Sequence, residues 1–176
     1  MLLKQAWRRT NSCQENHRLL HRVRRLATGN AGPEDAISAD RETLKSGARF
    51  TATRAFSQDD LAQYSALSGD SNPIHTQRSS AQAAGFAGGC VVHGMLTAGL
   101  FPAIIGSNFP GAIYVSQTLK FQQPAFAGDD LVAQVTVLDC VRIKRHYKVT
   151  FATSCFKCTT PDAIVVDGTA VALLPG

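Results

Sequence analysis

The sequence predicts an α+β fold in which one antiparallel sheet of about five strands wraps around one buried helix. Its 176 residues, 44% of them hydrophobic, suffice for one domain with a core. Beyond residue 112, four segments have the β-branched content and alternation of strands. Turn residues interrupt this region and no helical pattern intervenes, so successive strands must pair antiparallel. The four segments are 112–121, 130–141, 142–156 and 163–174.

The buried helix is predicted over residues 91–106, where apolar residues cover every helical face. Pro102 lies inside this segment, and we expect it to kink the helix or end its regular part, because proline lacks the N–H of the helical hydrogen bond. Upstream, residues 47–56 have the composition of a first strand. A helix then begins with Ser57 as N-cap, carries two acidic residues in its first turn, and ends at Gly69.

The net charge of +5 is concentrated at the N-terminus, since residues 1–28 contain seven basic residues and one acidic residue. This Arg-rich, acid-poor composition is typical of a mitochondrial transit peptide. The alternative is a disordered basic tail that binds RNA or an anionic surface. We predict a transit peptide at residues 1–28, a linker at 29–44 and one domain at 45–176. A location in the mitochondrial matrix and no nucleic-acid partner follow from that prediction.

Neither a membrane span nor a metal site is predicted. The longest apolar run, residues 90–106, is interrupted by His93, three glycines and Pro102, so it falls short of a membrane helix. Of the five cysteines, only Cys155 and Cys158 have paired spacing, and no second pair of ligands at comparable spacing accompanies them. We therefore expect reduced, mostly structural thiols.

The candidate chemistry lies in the segment SGDSNPIH, from Ser68 to His75. Asp70 and His75 flank the turn-forming Asn72–Pro73 step, and this bend lets their side chains converge. A carboxylate near an imidazole can position one water and move its protons, and Asn72 can fix the loop. The alternative is an Asx-turn in which Asp70 caps the following helix and His75 is a surface residue.

Gly94 lies where the predicted buried helix begins. A helix N-terminus presents unpaired N–H groups with a partial positive charge, which can polarise a carbonyl oxygen beside a carbon that gains or loses a proton. The alternative is that Gly94 only permits close packing. An acid, a base and an amide donor of this kind together indicate the addition or removal of water across a bond next to a thioester.

The segment YSALSGDSNPIHTQRSSA resembles the hydratase 2 motif of the MaoC-like dehydratases. The matching positions are Tyr64, Leu67, Ser68-Gly69-Asp70, Asn72-Pro73-Ile74-His75 and Ala81. Further along, VVHGML and FPGAIYVSQTLKFQQPAFAGDDL resemble the central helix of that family, the strand after it and its P-x-x-x-G-D turn. The resemblance covers about residues 45–174. It implies a hot-dog fold, in agreement with the predicted sheet around a helix.

The resemblance also implies R-specific hydration of trans-2-enoyl thioesters, or the reverse dehydration of (R)-3-hydroxyacyl thioesters. It makes Asp70 and His75 the catalytic pair, with Asp70 as the base toward water and His75 as its orienting partner. Asn72 and Ser68 become supporting residues, and the Gly94 amide becomes the donor to the thioester carbonyl. Which of the pair delivers the proton to C2 stays open. The resemblance implies no metal or redox cofactor, and a homodimer in which the sheets join edge to edge.

With the predicted leader, the resemblance implies a substrate carried on acyl carrier protein in mitochondrial type II fatty-acid synthesis. Carrier proteins are acidic, so a basic docking patch is expected. The segment RIKRHYK is one candidate, and if it is a single strand, four of its residues share a face. Those residues are Arg142, Lys144, His146 and Lys148. A solvated outer face of a sheet gives the same pattern. Arg78 and Lys120 are weaker candidates.

Three alternatives to this function stay open. The first is a CoA-dependent, R-specific enoyl-CoA hydratase of β-oxidation, and the second is a non-catalytic hot-dog protein that binds acyl thioesters. The third is an RNA-associated protein, which only the basic leader suggests. Asp70 and His75, both present, argue against the second.

Overall fold

The computed structural model describes residues 44–176. The predicted transit peptide and residues 29–43 of the predicted linker lie outside the described residues. The helices are α1 (Gln58–Ser68), α2 (Arg78–Ala83), α3 (Gly94–Ala98) and α4 (Leu100–Asn108), and a 3₁₀ turn spans Pro73–His75. The strands are β1 (Arg49–Ala55), β2 (Ile113–Phe121), β3 (Asp130–Ile143), β4 (His146–Lys157) and β5 (Thr160–Pro175). Over the described range, no helix has the length and apolar character to span a membrane.

The five strands form one antiparallel sheet in the order β1-β3-β4-β5-β2. The three longest strands are therefore central, and β1 and β2 are its edges. One face of the central strands is buried at alternate positions, as in Val149 and Phe151 of β4 and Ala170 and Ala172 of β5. The predicted single sheet of five antiparallel strands is confirmed, but β2 pairs with β5 and not with its successor β3, so the predicted pairing of successive strands does not hold there.

The buried face of the sheet packs against the predicted central helix, which forms as the two pieces α3 and α4. Phe101, Ile104 and Ile105 of α4 belong to the same core as the central strands. The prediction that this helix is buried on every face is wrong, because Met95 is 58% exposed and Pro102 is also exposed. The reason is that only one stripe of the helix faces the sheet within this chain.

The interruption between α3 and α4 lies at Gly99, one turn before Pro102. Pro102 is the third residue of α4, where the first-turn N–H groups have no helical partner anyway. Because Pro102 has no N–H to donate to the carbonyl of Ala98, continuous helical hydrogen bonding fails at this point. The predicted break is therefore present, but it lies upstream of the proline.

Helix α1 begins and ends where predicted. The Ser57 side chain accepts a hydrogen bond from the Asp60 N–H, and the Asp60 carboxylate accepts one from the Ser57 N–H, which makes a capping box. At the other end, Gly69 adopts a left-handed conformation with φ of 78°. These two signals fix the helix that leads into the candidate site.

The segment 142–148 is a hairpin and not one strand, so the predicted alternation of its faces is wrong. β3 ends at Ile143, β4 begins at His146, and Lys144 has a φ of 55° in the turn between them. Arg142 therefore pairs across the hairpin with Tyr147, with its guanidinium 5.8 Å from the ring centroid. The segment contains neither glycine nor proline, so its sequence carries no recognisable turn signal.

Candidate active site

The candidate site begins where α1 ends. The Ser68 hydroxyl donates a hydrogen bond to the Tyr64 carbonyl at 2.7 Å and accepts one from the Asp70 N–H at 3.2 Å. Together with the left-handed Gly69, these bonds turn the chain sharply out of the helix. Ser68 is thus a support for the turn that carries Asp70.

Two side-chain turns shape the segment after Asp70. One carboxylate oxygen of Asp70, Oδ1, accepts a hydrogen bond from the Asn72 N–H at 3.2 Å. Asn72 Oδ1 in turn accepts from the Ile74 N–H at 3.3 Å, and Pro73 is the first residue of the 3₁₀ turn. The Asx-turn at Asp70 is therefore present, but Asn72 and not Asp70 caps the 3₁₀ turn that follows. The Asx-turn occupies one carboxylate oxygen and leaves Oδ2 for another contact.

His75 is buried, contrary to the alternative that places it on the surface. Its Nδ1 lies 2.7 Å from the carbonyl oxygen of Val91, and because a carbonyl only accepts hydrogen bonds, Nδ1 must carry a proton. In the neutral ring, Nε2 is then the bare nitrogen. Nε2 faces Asp70 Oδ2 at 3.7 Å, too long for a direct hydrogen bond. The bend predicted at Asn72–Pro73 thus brings the carboxylate and the imidazole together.

Gly94 is the first residue of α3, and its N–H belongs to the first turn of that helix. A Cβ at this position would lie 2.7 Å from Cε1 of Phe121, so the close-packing alternative describes a real contact. Because α3 has only five residues, its macrodipole is small, and the local N–H is the relevant donor.

His93 belongs to the same cluster, although it is not among the site residues predicted from the sequence. Its ring stacks on His75 with 3.7 Å between centroids and 22° between planes. On the other side the Tyr64 ring lies 4.8 Å away, and Ser65 Oγ lies 3.2 Å from Nε2. The signal was available: a polar residue within the apolar run VVHGML, next to Gly94, requires a partner if it is buried.

The electrostatic surroundings of His93 favour its neutral form. Burial is the first cause of its lowered pKa, and the charge that His75 can carry is the second. Asp70 acts in the opposite direction and offsets part of this effect. The imidazole stacked against His75 is therefore uncharged near neutral pH.

One potential ligand atom from each of Asp70, His75 and His93 lies within 4.8 Å of the others. The two rings are nearly parallel, so their in-plane nitrogen lone pairs run side by side and do not converge on one ion. As arranged, the cluster does not fit a metal centre. The expected absence of a metal and of any other cofactor stays a prediction.

The cysteines contribute no ligand set in the part of the chain that the structure describes. None of its four cysteines takes part in a disulfide, and burial raises the pKa of Cys155 to about 12. Cys155 is thus a structural thiol, as predicted.

The chain matches the family model described as "MaoC like domain" over residues 40–155. It is 45% identical over 138 residues to 3-hydroxyacyl-[acyl-carrier-protein] dehydratase FERN, mitochondrial, of Solanum lycopersicum, covering 78% of this chain and 82% of that protein. It is 37% identical over 144 residues to the (R)-specific enoyl-CoA hydratase of Rhodospirillum rubrum, covering 81% of this chain and 96% of that one.

Among solved structures, the (R)-hydratase from A. caviae involved in PHA biosynthesis superimposes with a TM-score of 0.70. It is 34% identical, and the match covers 76% of this chain and 99% of that one. The sheet wrapped on the central helix is thus a hot-dog fold, and a carboxylate and an imidazole face each other in the segment between α1 and α2. Within that class, the chain belongs to the MaoC-like domain family.

Proposed function

We propose that the protein catalyses the reversible dehydration of (R)-3-hydroxyacyl thioesters to trans-2-enoyl thioesters. It is a hydro-lyase like the dehydratases and hydratases to which it is similar. One observation carries the proposal: Asp70 Oδ2 and the bare Nε2 of His75 face each other at 3.7 Å. A water beside the pair can donate a hydrogen bond to each group, whereas a substrate hydroxyl, which has one proton, can donate to one of them.

In the direction of hydration, Asp70 accepts one proton of the water as its oxygen bonds to C3 of the enoyl thioester. The electron pair of the double bond moves toward the thioester carbonyl, whose oxygen accepts a hydrogen bond from the Gly94 N–H. His75 orients the water as an acceptor, because the Val91 carbonyl keeps its proton on Nδ1. The proton that Asp70 has taken then returns to C2. Dehydration follows the same steps in reverse.

The test is the loss of enoyl-thioester absorbance with the purified full chain and trans-2-enoyl-CoA. Asp70→Asn keeps the shape of the turn and removes the base, so turnover should fall about 10²–10⁴-fold. Asp139→Asn is the matched control, since Asp139 is an exposed residue of β3 outside the site, and it should leave turnover unchanged. An R-configured product is expected. Absence of turnover on both CoA and carrier-protein substrates would favour a non-catalytic acyl-binding protein.

The proposed carrier is acyl carrier protein, and the proposed location is the mitochondrial matrix, with residues 1–28 as the transit peptide. The similarity to two relatives named as mitochondrial 3-hydroxyacyl-[acyl-carrier-protein] dehydratases supports this carrier. The similarity to a protein named (R)-specific enoyl-CoA hydratase supports the second candidate, a CoA-dependent enzyme. The ratio of kcat/KM for the same acyl group on the two carriers decides between them.

The position of the basic residues bears on where a carrier docks. Phe121, which contacts Gly94, pairs with Val166 near one end of the sheet, whereas the hairpin at His146 pairs with Pro175 at the other end. Val166 pairs with Cys155 of β4, so the nine residue steps from His146 to Cys155 separate these ends by roughly 30 Å. Within one chain, the hairpin is thus far from the site.

Arg78 and Lys120 are two exposed cations close in sequence to the site residues. Arg78 follows His75 by three residues, and Lys120 precedes Phe121 in β2. Arg78→Glu and Lys120→Glu should raise KM for the carrier-bound substrate but not for a short thioester that lacks phosphate.

We also propose a homodimer joined along β2. This edge strand exposes large apolar side chains, Ile113 and Val115, each 55% exposed. Antiparallel pairing of two β2 strands reverses their ends, so the partner's hairpin would lie at the site end of this chain. With three strand spacings from β2 to the partner's β4, the lateral separation is about 15 Å. Arg145→Glu should then raise KM for the carrier as Arg78→Glu does, and a monomer in sedimentation would contradict the arrangement.

A further inference from the structure

His93 lies between three parts of the molecule that meet at the site. It is the N-cap residue of α3, its ring packs against Tyr64 and Ser65 of α1, and it stacks on His75 of the 3₁₀ turn. Only 2% of the residue is exposed. A polar ring at such a position costs free energy unless it is hydrogen-bonded, so an apolar side chain would be easier to accommodate.

The hydrogen bonding of the His93 ring is incomplete. Nε2 lies within hydrogen-bond distance of Ser65 Oγ, and Nδ1 is buried with no hydrogen-bond partner among the described residues. A bare nitrogen costs less to bury without a partner than an N–H group does. The arrangement therefore favours the tautomer in which Nε2–H donates to Ser65 and Nδ1 is bare.

Groups on α1 and on the 3₁₀-turn segment limit the charge that the His93 ring can carry. His75 and Asp70 are the titratable groups that face it from the turn, and Tyr64 faces it from α1. When His75 is protonated, a second positive charge on a ring 3.7 Å away would be repelled. His93 can therefore remain neutral while protons move at Asp70 and His75.

We propose that His93 is a positioning residue that holds the carboxylate–imidazole pair at a fixed place relative to the Gly94 N–H. Its ring supports His75 by stacking, and its backbone leads directly into Gly94, so one residue joins the two halves of the site. This inference rests on the proposed function, in which those halves act on the same thioester. A displacement of about 1 Å between reacting groups can cost about 100-fold in rate.

Three substitutions separate the stacking from the hydrogen bond. His93→Ala removes both, His93→Phe keeps an aromatic ring beside His75, and Ser65→Ala removes only the hydrogen-bond partner. We expect His93→Ala to lower kcat about 100-fold with KM changed less than about threefold, because positioning acts on the reacting groups. His93→Phe should recover at least about tenfold of that loss, and Ser65→Ala should cost only about threefold. Asp139→Asn, at an exposed position of β3 outside the site, is the control and should change neither constant.

The pH profile distinguishes positioning from direct proton transfer. If His93 only positions, the profile of kcat/KM for His93→Phe keeps the limbs of the wild-type profile, since no titrating group of the reaction has been removed. Loss of a limb, or a kcat for His93→Phe as low as that for His93→Ala, would overturn the proposal. So would an unchanged kcat in His93→Ala.

A second readout does not depend on turnover. In protein with ¹⁵N-labelled histidine, the ring nitrogens of His75 should show the Nδ1–H tautomer in wild type and in His93→Phe. In His93→Ala the His75 signals should shift or broaden, because the supporting ring is absent. Unchanged His75 signals in His93→Ala would contradict the positioning role even if the wild-type protein turned over no thioester. Absence of wild-type turnover together with the expected shift would instead count against the proposed reaction alone.

Discussion

The site segment, residues 68–75, and the basic hairpin, residues 142–148, are both short stretches dense in polar side chains. In the site segment, the side chains of Ser68, Asp70 and Asn72 accept hydrogen bonds from backbone N–H groups and fix each successive turn. The hairpin is held by strand pairing, by the Arg142–Tyr147 contact and by the bond from the Gly176 N–H to the Arg145 carbonyl. Local side-chain-to-backbone hydrogen bonds thus determine where functional groups point, whereas a density of charge does not.

After Asp70→Asn, one of the largest effects is expected from disturbing the contact between Gly94 and Phe121. Gly94→Ala places a methyl group 2.7 Å from the Phe121 ring, so the ring or the start of α3 must move. We expect kcat to fall about 100-fold, because the amide donor is displaced from the acid–base pair. The measurement is steady-state turnover of an enoyl thioester.

The double variant Gly94→Ala/Phe121→Ala serves as the control for that prediction. It removes the overlapping ring and should recover most of the lost turnover. An equally low kcat in the double variant would mean that the glycine itself, and not the contact, is required.

A smaller effect is expected from Asn72→Ala, which removes the acceptor for the Ile74 N–H but leaves the backbone donor to Asp70 in place. Because the turn becomes less rigid while both reacting side chains remain, kcat should fall about tenfold. Asn72→Asp retains an acceptor oxygen, so its kcat should fall less. If kcat falls equally in both variants, Asn72 does not act by accepting the hydrogen bond that fixes the turn.

Much of the site segment could be predicted from the sequence, because its turns are determined by residues that lie close together in the chain. The Ser57 capping box, the left-handed Gly69 and the Asn72–Pro73 bend each depend on residues no more than three apart. The sequence therefore indicated that Asp70 and His75 converge. The five strands followed from alternation and from the absence of intervening helices.

Other features depended on contacts between distant residues. His93 meets His75 only because α3 folds back on the turn. The exposure of Met95 follows from how many sides of the helix the sheet covers. None of these can be read from spacing along the chain.

A stability effect follows from the neutral state of His93. Its pKa is lowered in the folded protein, chiefly by burial, from the ordinary value of 6.5. Below about pH 6.5, His93 therefore binds a proton more readily in the unfolded chain than in the folded protein. The free energy of unfolding should fall as the pH falls through that region. One such group contributes at most about 1.4 kcal/mol per pH unit.

The measurement is the free energy of unfolding by urea at pH 7 and pH 5, for wild type and His93→Phe. The variant lacks the titrating ring, so its stability should fall less over this range, and the difference between the two proteins isolates His93 from the other histidines. Equal slopes would show that His93 takes up its proton as readily in the folded protein as in the unfolded chain.

The smallest expected effect tests the hairpin. Lys144 adopts a φ of 55°, which costs a residue with a Cβ about 1 kcal/mol and costs glycine little. Lys144→Gly should therefore stabilise the protein by about 0.5–1 kcal/mol in urea unfolding, although glycine also loses more freedom on folding. Lys148→Gly, inside β4, is the matched control and should destabilise. Because the hairpin of the same chain lies at the end of the sheet away from the site, and a short thioester needs no carrier docking, kcat on that substrate should be unchanged in Lys144→Gly. A fall in that kcat would mean that the hairpin and the site are coupled.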